Sequence, residues 1–453
     1  MMGERLVMQE SLFYAFRLED HVPSDHLLRR IDRFVDCSGL RQRLAGYYSA
    51  TGRPSVDPEL MIRMLLIGYC LGIRSERRLC EEVHLNLAYR WFCRLGLEGK
   101  VPDHSTFSKN RHGRFRESDL FRRLFEAVVQ RCLDEGLVGG EGFAVDASLI
   151  QADANKQPSL PGAEWVAQDH TAAPRAVREY LATLDEAAWG AATEVEPKFV
   201  SPSDPAAQWT GALRGPAFFA YADNYLIDLK AAVIVDVEAS RAVRQAEVGA
   251  ARTMLERTTE RFGLKPERLA ADSAYGSAEM LHWLVDERKI EPHVPVIDKS
   301  TREDGTFSRS DFKYDPETDT YTEGKTLTTS GTVVNEGTTR LYRGSTFDCG
   351  PCPLKEQCCP NTPARKIPRS IYEHAREAAR ALAGTPAYER SRQGRKRIEM
   401  LFAHLKRILK MGRLRLRGPC GAQDEFLLAA TAQNLRKLAK LVTSPGPQMI
   451  QGA

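Results

Sequence analysis

Three carboxylates in this chain stand where a carboxylate is costly or conspicuous. Asp146 lies in the stretch "GFAVDASLI" (142–150), and Asp272 lies in "RLAADSAYGS" (268–277). Each follows small apolar residues in a segment that reads as a buried strand. An acid there must be paired, hydrogen-bonded or metal-bound to offset its desolvation. Asp228 and Asp236 also fall in strand patterns and compete for the same reading. The third acid is Glu399. Between Arg390 and Gly418 the chain holds eleven Lys or Arg and this one acid. Solvated helices usually mix the two signs at spacings of three and four. One acid cannot balance eleven bases, so the stretch calls for another anion, and phosphate is the obvious one. Two strand acids and a helix acid could hold two Mg²⁺ or Mn²⁺ ions ~4 Å apart, because hard cations take oxygen ligands. Such a pair clamps the attacking and leaving oxygens of a phosphodiester. Arg392, Arg395, Lys406 and Lys410 would then grip the phosphate backbone. The plainer alternatives are that each Asp caps or hydrogen-bonds its own strand, and that Glu399 makes ordinary helix ion pairs.

A second cluster is "CGPCPLKEQCC", with Cys349, Cys352, Cys358 and Cys359. A CxxC knuckle with further Cys nearby suits tetrahedral Zn²⁺. Adjacent Cys358 and Cys359 would be strained on one ion, so structural zinc and reduced thiols both stay open. The other six cysteines are scattered and read as reduced and buried.

The elements that must position these groups follow from the pattern. The chain has 453 residues, 42% apolar and 27% charged, with a net charge of only +4. That is a globular composition large enough for several structural units, and any nucleic-acid partner must be met by local charge. Residues 1–135 read as short helices. Asp57-Pro58 starts one, Gly72 stops it, and Ser75 caps the next. Basic tips at Arg111, Arg114 and Arg116 fit either a helix-turn-helix reader or plain helical packing. From 140 the order is strand, strand, strand, helix, strand, helix, strand and a late helix, a mixed α/β layer with early antiparallel hairpins. A polar insertion is expected over about 154–222 and a hairpin-rich one over about 300–370. The final helices run to about 442, with Ile398, Leu401, Phe402, Leu405, Ile408 and Leu409 as an apolar stripe. The tail 443–453 is expected to be loose. The N-terminus has no apolar signal region and no run is long enough to span a bilayer, so a soluble, cytoplasmic protein without membrane contact is expected.

Together these residues resemble the DDE transposases of bacterial insertion sequences. "FAVDASLIQADA" is similar to that family's first catalytic Asp strand, and "ADSAYGS" to its second Asp with the following Tyr-Gly. "VSPSDPAA" resembles a segment often found before the second strand. "GRKRIEMLFAHLK" matches the late Arg-x3-Glu-x6-Lys signature at Arg395, Glu399 and Lys406, with Arg392 where the fuller signature has Tyr. "VDPELMIRMLLIGYCLGIRSERRLCEEV" and "PDHSTFSKNR" look like the family's N-terminal region. The resemblance implies an RNase H-like core over 136–442, with mixed sheet and flanking helices, behind a helical DNA-binding region over 1–135. It implies Asp146, Asp272 and Glu399 as ligands of two Mg²⁺ or Mn²⁺ ions, and cleavage at element ends followed by attack of the freed 3′-OH on target DNA. Double-stranded DNA is the implied partner, and synapsis of two ends implies at least a dimer. The rivals are a non-catalytic DNA-binding descendant and a metal-dependent nuclease without strand transfer.

Overall fold

The structure is a computed structural model that describes residues 16–49, 51, 55–166, 171–189, 196–212, 215–297, 302–323, 325–335 and 337–442. The expected loose tail lies outside them.

The N-terminal helices form where their caps direct. Asp57 accepts the Glu59 N–H, Pro58 sits in the first turn, and the helix Pro58–Leu71 ends on Gly72 at φ 70°. Only glycine fits there, since a Cβ would also meet the Ile408 carbonyl at 2.6 Å. Ser75 caps Glu76–Leu85 through the Arg78 N–H. These helices do not stand apart. Their buried residues, among them Leu28, Met61, Leu65 and Phe125, belong to the same apolar core as the sheet behind them. Arg111 pairs with Glu76, Arg114 bonds the Tyr47 carbonyl, and Arg116 pairs with both Glu179 and Asp424. All three basic tips thus have partners within the chain.

The main sheet has six strands: β1 (Gly142–Gln151), β2 (Gln208–Ala212), β3 (Gly215–Asp228), β4 (Ile234–Arg241), β5 (Arg268–Ala270) and β6 (Glu291–His293). β1 is central, antiparallel to β3 on one side and parallel to β5 on the other, with β6 parallel beyond. β2 and then β4 pair along the far edge of β3. β3 begins at Gly215, inside the stretch expected to be a polar insertion over about 154–222. Its first residues pair with β2, and that pairing has no strong mark in sequence. The free edge of β4 is closed by the helix Pro419–Leu441. Asn434 brackets the Ile234 N–H and C=O at 3.0 and 2.8 Å, and Gln423 takes the Ala239 N–H at 2.7 Å. An edge covered in this way cannot recruit a foreign strand.

A second sheet follows, an antiparallel meander of β7 (Lys313–Asp315), β8 (Thr320–Glu323), β9 (Lys325–Val334), β10 (Thr339–Arg343) and β11 (Lys366–Ser370). It keeps its own small core of Phe312, Tyr321, Leu327, Tyr342 and Ile367. The chain then returns through the helices Glu373–Leu382 and Pro386–Arg407. The basic stretch is not one helix. It ends at Arg407, and the next residues run beside β1, where the Leu414 N–H bonds the Gln151 carbonyl at 2.8 Å. Lys410 takes φ 55°, and Ile408, expected in the apolar stripe, is 48% exposed. Gly412 within this break and Pro419 at its far end are poor helix formers.

Candidate functional site

β1 carries Asp146 near its middle, paired across the sheet with Tyr225 of β3. On the other side β5 stops at Ala270, which faces Ala144. The register offset is 126 residues, Gly142 facing Arg268, and Asp146 and Asp272 are separated by the same 126 residues. Asp272 thus stands just past the end of β5, beside Asp146 on the neighbouring strand. It caps the turn Ser273–Tyr275 by accepting the Ala274 N–H at 2.7 Å. Gly276 closes that turn against the Pro295 carbonyl, where a Cβ would come within 2.0 Å. This explains the glycine in "ADSAYGS".

Glu399 reaches the same place from the helix Pro386–Arg407. Phe402, one turn later, stacks on Tyr225 with ring centroids 4.8 Å apart. Tyr225 is the cross-strand partner of Asp146, so this stack sets the helix over the face that holds Asp146. Arg395 bridges the acids: Nη1 lies 3.1 Å from Asp146 Oδ2, and Nη2 lies 3.6 Å from Glu399 Oε1. The second contact is a charge pair rather than a hydrogen bond.

Burial pushes the Asp146 carboxyl up to about 6, and the charges of Asp272 and Glu399 add to it against the Ala147 N–H and Arg395. A fourth acid faces the same point. Glu247, on the helix Arg244–Phe262, is pushed up to about 7 by burial and then by Asp272 and Asp146. The Tyr275 hydroxyl, buried among Glu247, Asp146 and Asp272, has no hydrogen-bond partner among the described residues. Nothing in the sequence singled out Glu247. Its only signal is position, one turn into the helix that follows the antiparallel strands. Among the described residues no three acid oxygens here lie within 4.8 Å of one another, and the Arg395 guanidinium spans Asp146 and Glu399.

The competing acids have other work. Asp228 accepts the N–H groups of Gly139, Gly140 and Lys230. Asp236 is held by Arg122 and Arg257.

The basic stretch divides in two. Arg392 pairs with Glu389, Arg413 and Arg417 with Asp153, and Arg397 donates to the Leu229 and Lys230 carbonyls. The shortage of local acids is therefore met partly from elsewhere in the chain, which a linear count cannot see. Lys406 faces the buried Asp223, both of whose oxygens lack hydrogen-bond partners among the described residues. Arg390, Lys396, Arg407, Lys410 and Arg415 are exposed and make no side-chain hydrogen bond or ion pair among the described residues. Lys406, Lys410 and Arg415 join Arg74, Arg78 and Arg413 in lining a cleft of about 950 Å³ between the N-terminal helices and the turn after Arg407.

The four clustered cysteines are all reduced, with Cys349 and Cys359 buried. Among the described residues no three of their sulfurs lie within 4.8 Å of one another. Cys358 and Cys359 are close neighbours, and burial first and Cys359 second push Cys358 up to about 11. The fold does not gather the four into a tetrahedral set. Among the described residues no helix is long and apolar enough to cross a membrane.

A transposase domain (DUF772) matches residues 16–113, and a transposase DDE domain matches residues 322–439. The second match includes Glu399, while Asp146 and Asp272 lie between the two. Among solved structures, a piggyBac transposase synaptic complex with hairpin DNA is similar at 9% identity and a TM-score of 0.33, over 92% of this chain and 77% of that chain. That likeness is too loose to bear on the fold or the site. With a transposase domain model matching its first helices and a transposase DDE domain model its last, the comparisons support a DDE-type transposase.

Proposed function

We propose that the protein cuts DNA at the ends of a mobile element and joins the freed ends to a target, using Asp146, Asp272 and Glu399. The observation that carries this is the convergence of three acids, far apart in sequence, at the end of β5 beneath one helix. The strand order, antiparallel β1, β3 and β4 with β2 as an extra edge strand, then parallel β5 and β6 with a late helix over the centre, supports an RNase H-like core. The donor set is hard oxygen, which fits Mg²⁺ or Mn²⁺. Burial first, and the neighbouring acids after it, raise Asp146 and Glu247, a cost that bound cations would offset. Divalent ions held by Asp146, Asp272 and Glu399 would supply Lewis-acid stabilisation of the phosphoryl oxygens.

The protein's own groups do the rest. Arg395 keeps Asp146 and Glu399 together by offsetting their repulsion. Lys406, Lys410 and Arg415 present the cleft to a phosphate backbone. Water attacks a phosphodiester phosphorus and the 3′ oxygen leaves with a proton. The new 3′-OH then attacks a second phosphodiester and displaces its 3′ oxygen. DNA is the substrate, and pairing of two ends calls for at least two copies of the chain.

The test is a Mg²⁺-dependent assay on a plasmid carrying the DNA that flanks the gene. Nicked and joined products support the reading. Nicks without joints leave a nuclease, and DNA binding without either leaves a non-catalytic binder.

A further inference from the structure

Away from the carboxylates, two imidazoles and an acid meet between two helices. His282 and Asp286 are four residues apart, on the helical segment formed by Ala278–His282 and Trp283–Arg288. Residues four apart share a face. His374 lies on Glu373–Leu382, which packs beside that segment. His282 Nδ1 is 2.6 Å from Asp286 Oδ2, and His374 Nε2 is 2.6 Å from the same oxygen. One ligand atom from each of the three residues lies within 4.8 Å of the others. The His282 ring is stacked on Tyr372, with centroids 4.2 Å apart and planes at 16°, which fixes its direction.

We propose that His282, Asp286 and His374 form a transition-metal site, with Zn²⁺ as its ion. Two imidazole nitrogens and a carboxylate oxygen are a zinc donor set, and three protein ligands leave a fourth position for water. Ligands at about 2.0–2.2 Å from a tetrahedral zinc stand roughly 3.4 Å apart. The two 2.6 Å contacts therefore need to open by less than about 1 Å. Each imidazole must turn a lone pair toward the centre, by tautomerising if neutral or by releasing a proton to solvent if charged. Side-chain exposures of 27% for His282, 33% for Asp286 and 52% for His374 give an ion access without unfolding.

The placement gives the site a task. Tyr372 and His374 follow directly on β11, the last strand of the second sheet, and His282 and Asp286 follow the turn that holds Asp272. An ion here ties the exit of the second sheet to the segment carrying Asp272. The hard oxygen cluster and the thiols are separate from it in donor type, so the three can be told apart.

The experiment uses the full chain, stripped with a chelator and dialysed against Zn²⁺, or against Co²⁺ as a visible probe, with excess Mg²⁺ to fill oxygen-only sites. The wild type should hold one equivalent more zinc than His374→Ala or Asp286→Asn, with affinity at this site reduced at least about tenfold in either variant, since even outer-shell losses cost that much. The Co²⁺ form should show a visible ligand-field band without thiolate charge transfer, and His374→Ala should lose it. His374 is half exposed, so its truncation removes little packing. Asp286→Asn keeps the side-chain shape, and circular dichroism checks both folds. Equal zinc in all three proteins, no zinc in the wild type, or a Co²⁺ spectrum owed wholly to thiolate would each overturn the proposal and leave a hydrogen-bonded clamp.

Discussion

Asp146 is the residue on which opposing effects meet. Burial and two neighbouring acids raise it, while Arg395 and the Ala147 N–H lower it, and the net is a carboxyl near 6. Glu247 titrates near 7 for the same first reason. Cations bind the ionised forms, so Mg²⁺ affinity should rise as pH climbs through about 6 to 7 and level off above. Glu247→Gln should flatten the upper part of that rise, as read by calorimetric titration at several pH values. A profile unchanged in the variant would remove Glu247 from the site. Glu399→Gln is the sharper change, because it keeps shape and loses one charge. Glu399 is 57% exposed, so as an ordinary ion-pair residue its loss would cost roughly 0–1 kcal/mol and leave activity intact. As a ligand, its loss should lower cleavage by orders of magnitude, since metal stabilisation is worth several kcal/mol and each ~1.4 kcal/mol is tenfold in rate. Cleavage with Mg²⁺ and with Mn²⁺, with binding followed by gel shift, separates the two.

At the scale of elements, the segment "VSPSDPAA" has a definite job. Its Asp204 is fully buried and accepts from the Tyr221 hydroxyl on β3 and from the Gly418 N–H at 3.2 Å, at the start of the last helix. Its other oxygen has no partner among the described residues. Burial raises this carboxyl from 3.8 to about 7, which puts a proton on the orphan oxygen in weak acid. The folded value lies above the unfolded one. Its stabilising contribution is therefore full below about 3.8 and lost as pH rises through about 7. The whole effect is at most about 4 kcal/mol, by the usual 1.4 kcal/mol for each pH unit. Asp204→Asn mimics the protonated form, so urea melts should show the wild type losing stability against the variant between pH 5 and pH 8. Parallel curves would mean that Asp204 does not titrate in that window.

For the whole molecule, the joint between the first helices and the core is ionic as well as apolar. Arg116 of the N-terminal half pairs with Glu179 and with Asp424 of the last helix, all largely buried. Removing one member of such a set strands the others, so Arg116→Ala should cost about 3–5 kcal/mol in a denaturant melt. A loss below about 1 kcal/mol would show that apolar packing alone holds the joint. The basic surface makes the complementary prediction. Bases without an internal partner are the ones able to release counterions from DNA. Replacing Lys396, Lys410 and Arg415 should lower the slope of log affinity against log salt by roughly 0.9 per lost phosphate contact. Replacing the internally paired Arg397, Arg413 and Arg417 should change the slope less. Equal slopes for the two triple variants would sink this division of the stretch.

By itself the sequence determined what local chemistry determines. Asp57, Pro58, Gly72 and Ser75 set helix ends where they were read, because a cap is satisfied within a few residues. The short apolar run around Asp146 marked a strand, and the isolation of Glu399 marked an unusual helix. Tertiary structure alone decided the rest. It set β1 and β5 in the register that brings Asp146 beside Asp272, since a parallel pairing 126 residues apart leaves no local trace. It brought Glu247 in from a helix that no motif distinguishes. It also supplied Asp153 and backbone carbonyls to three of the eleven bases, Arg397, Arg413 and Arg417. Charge balance is settled by neighbours in space, and a linear stretch shows only neighbours in sequence.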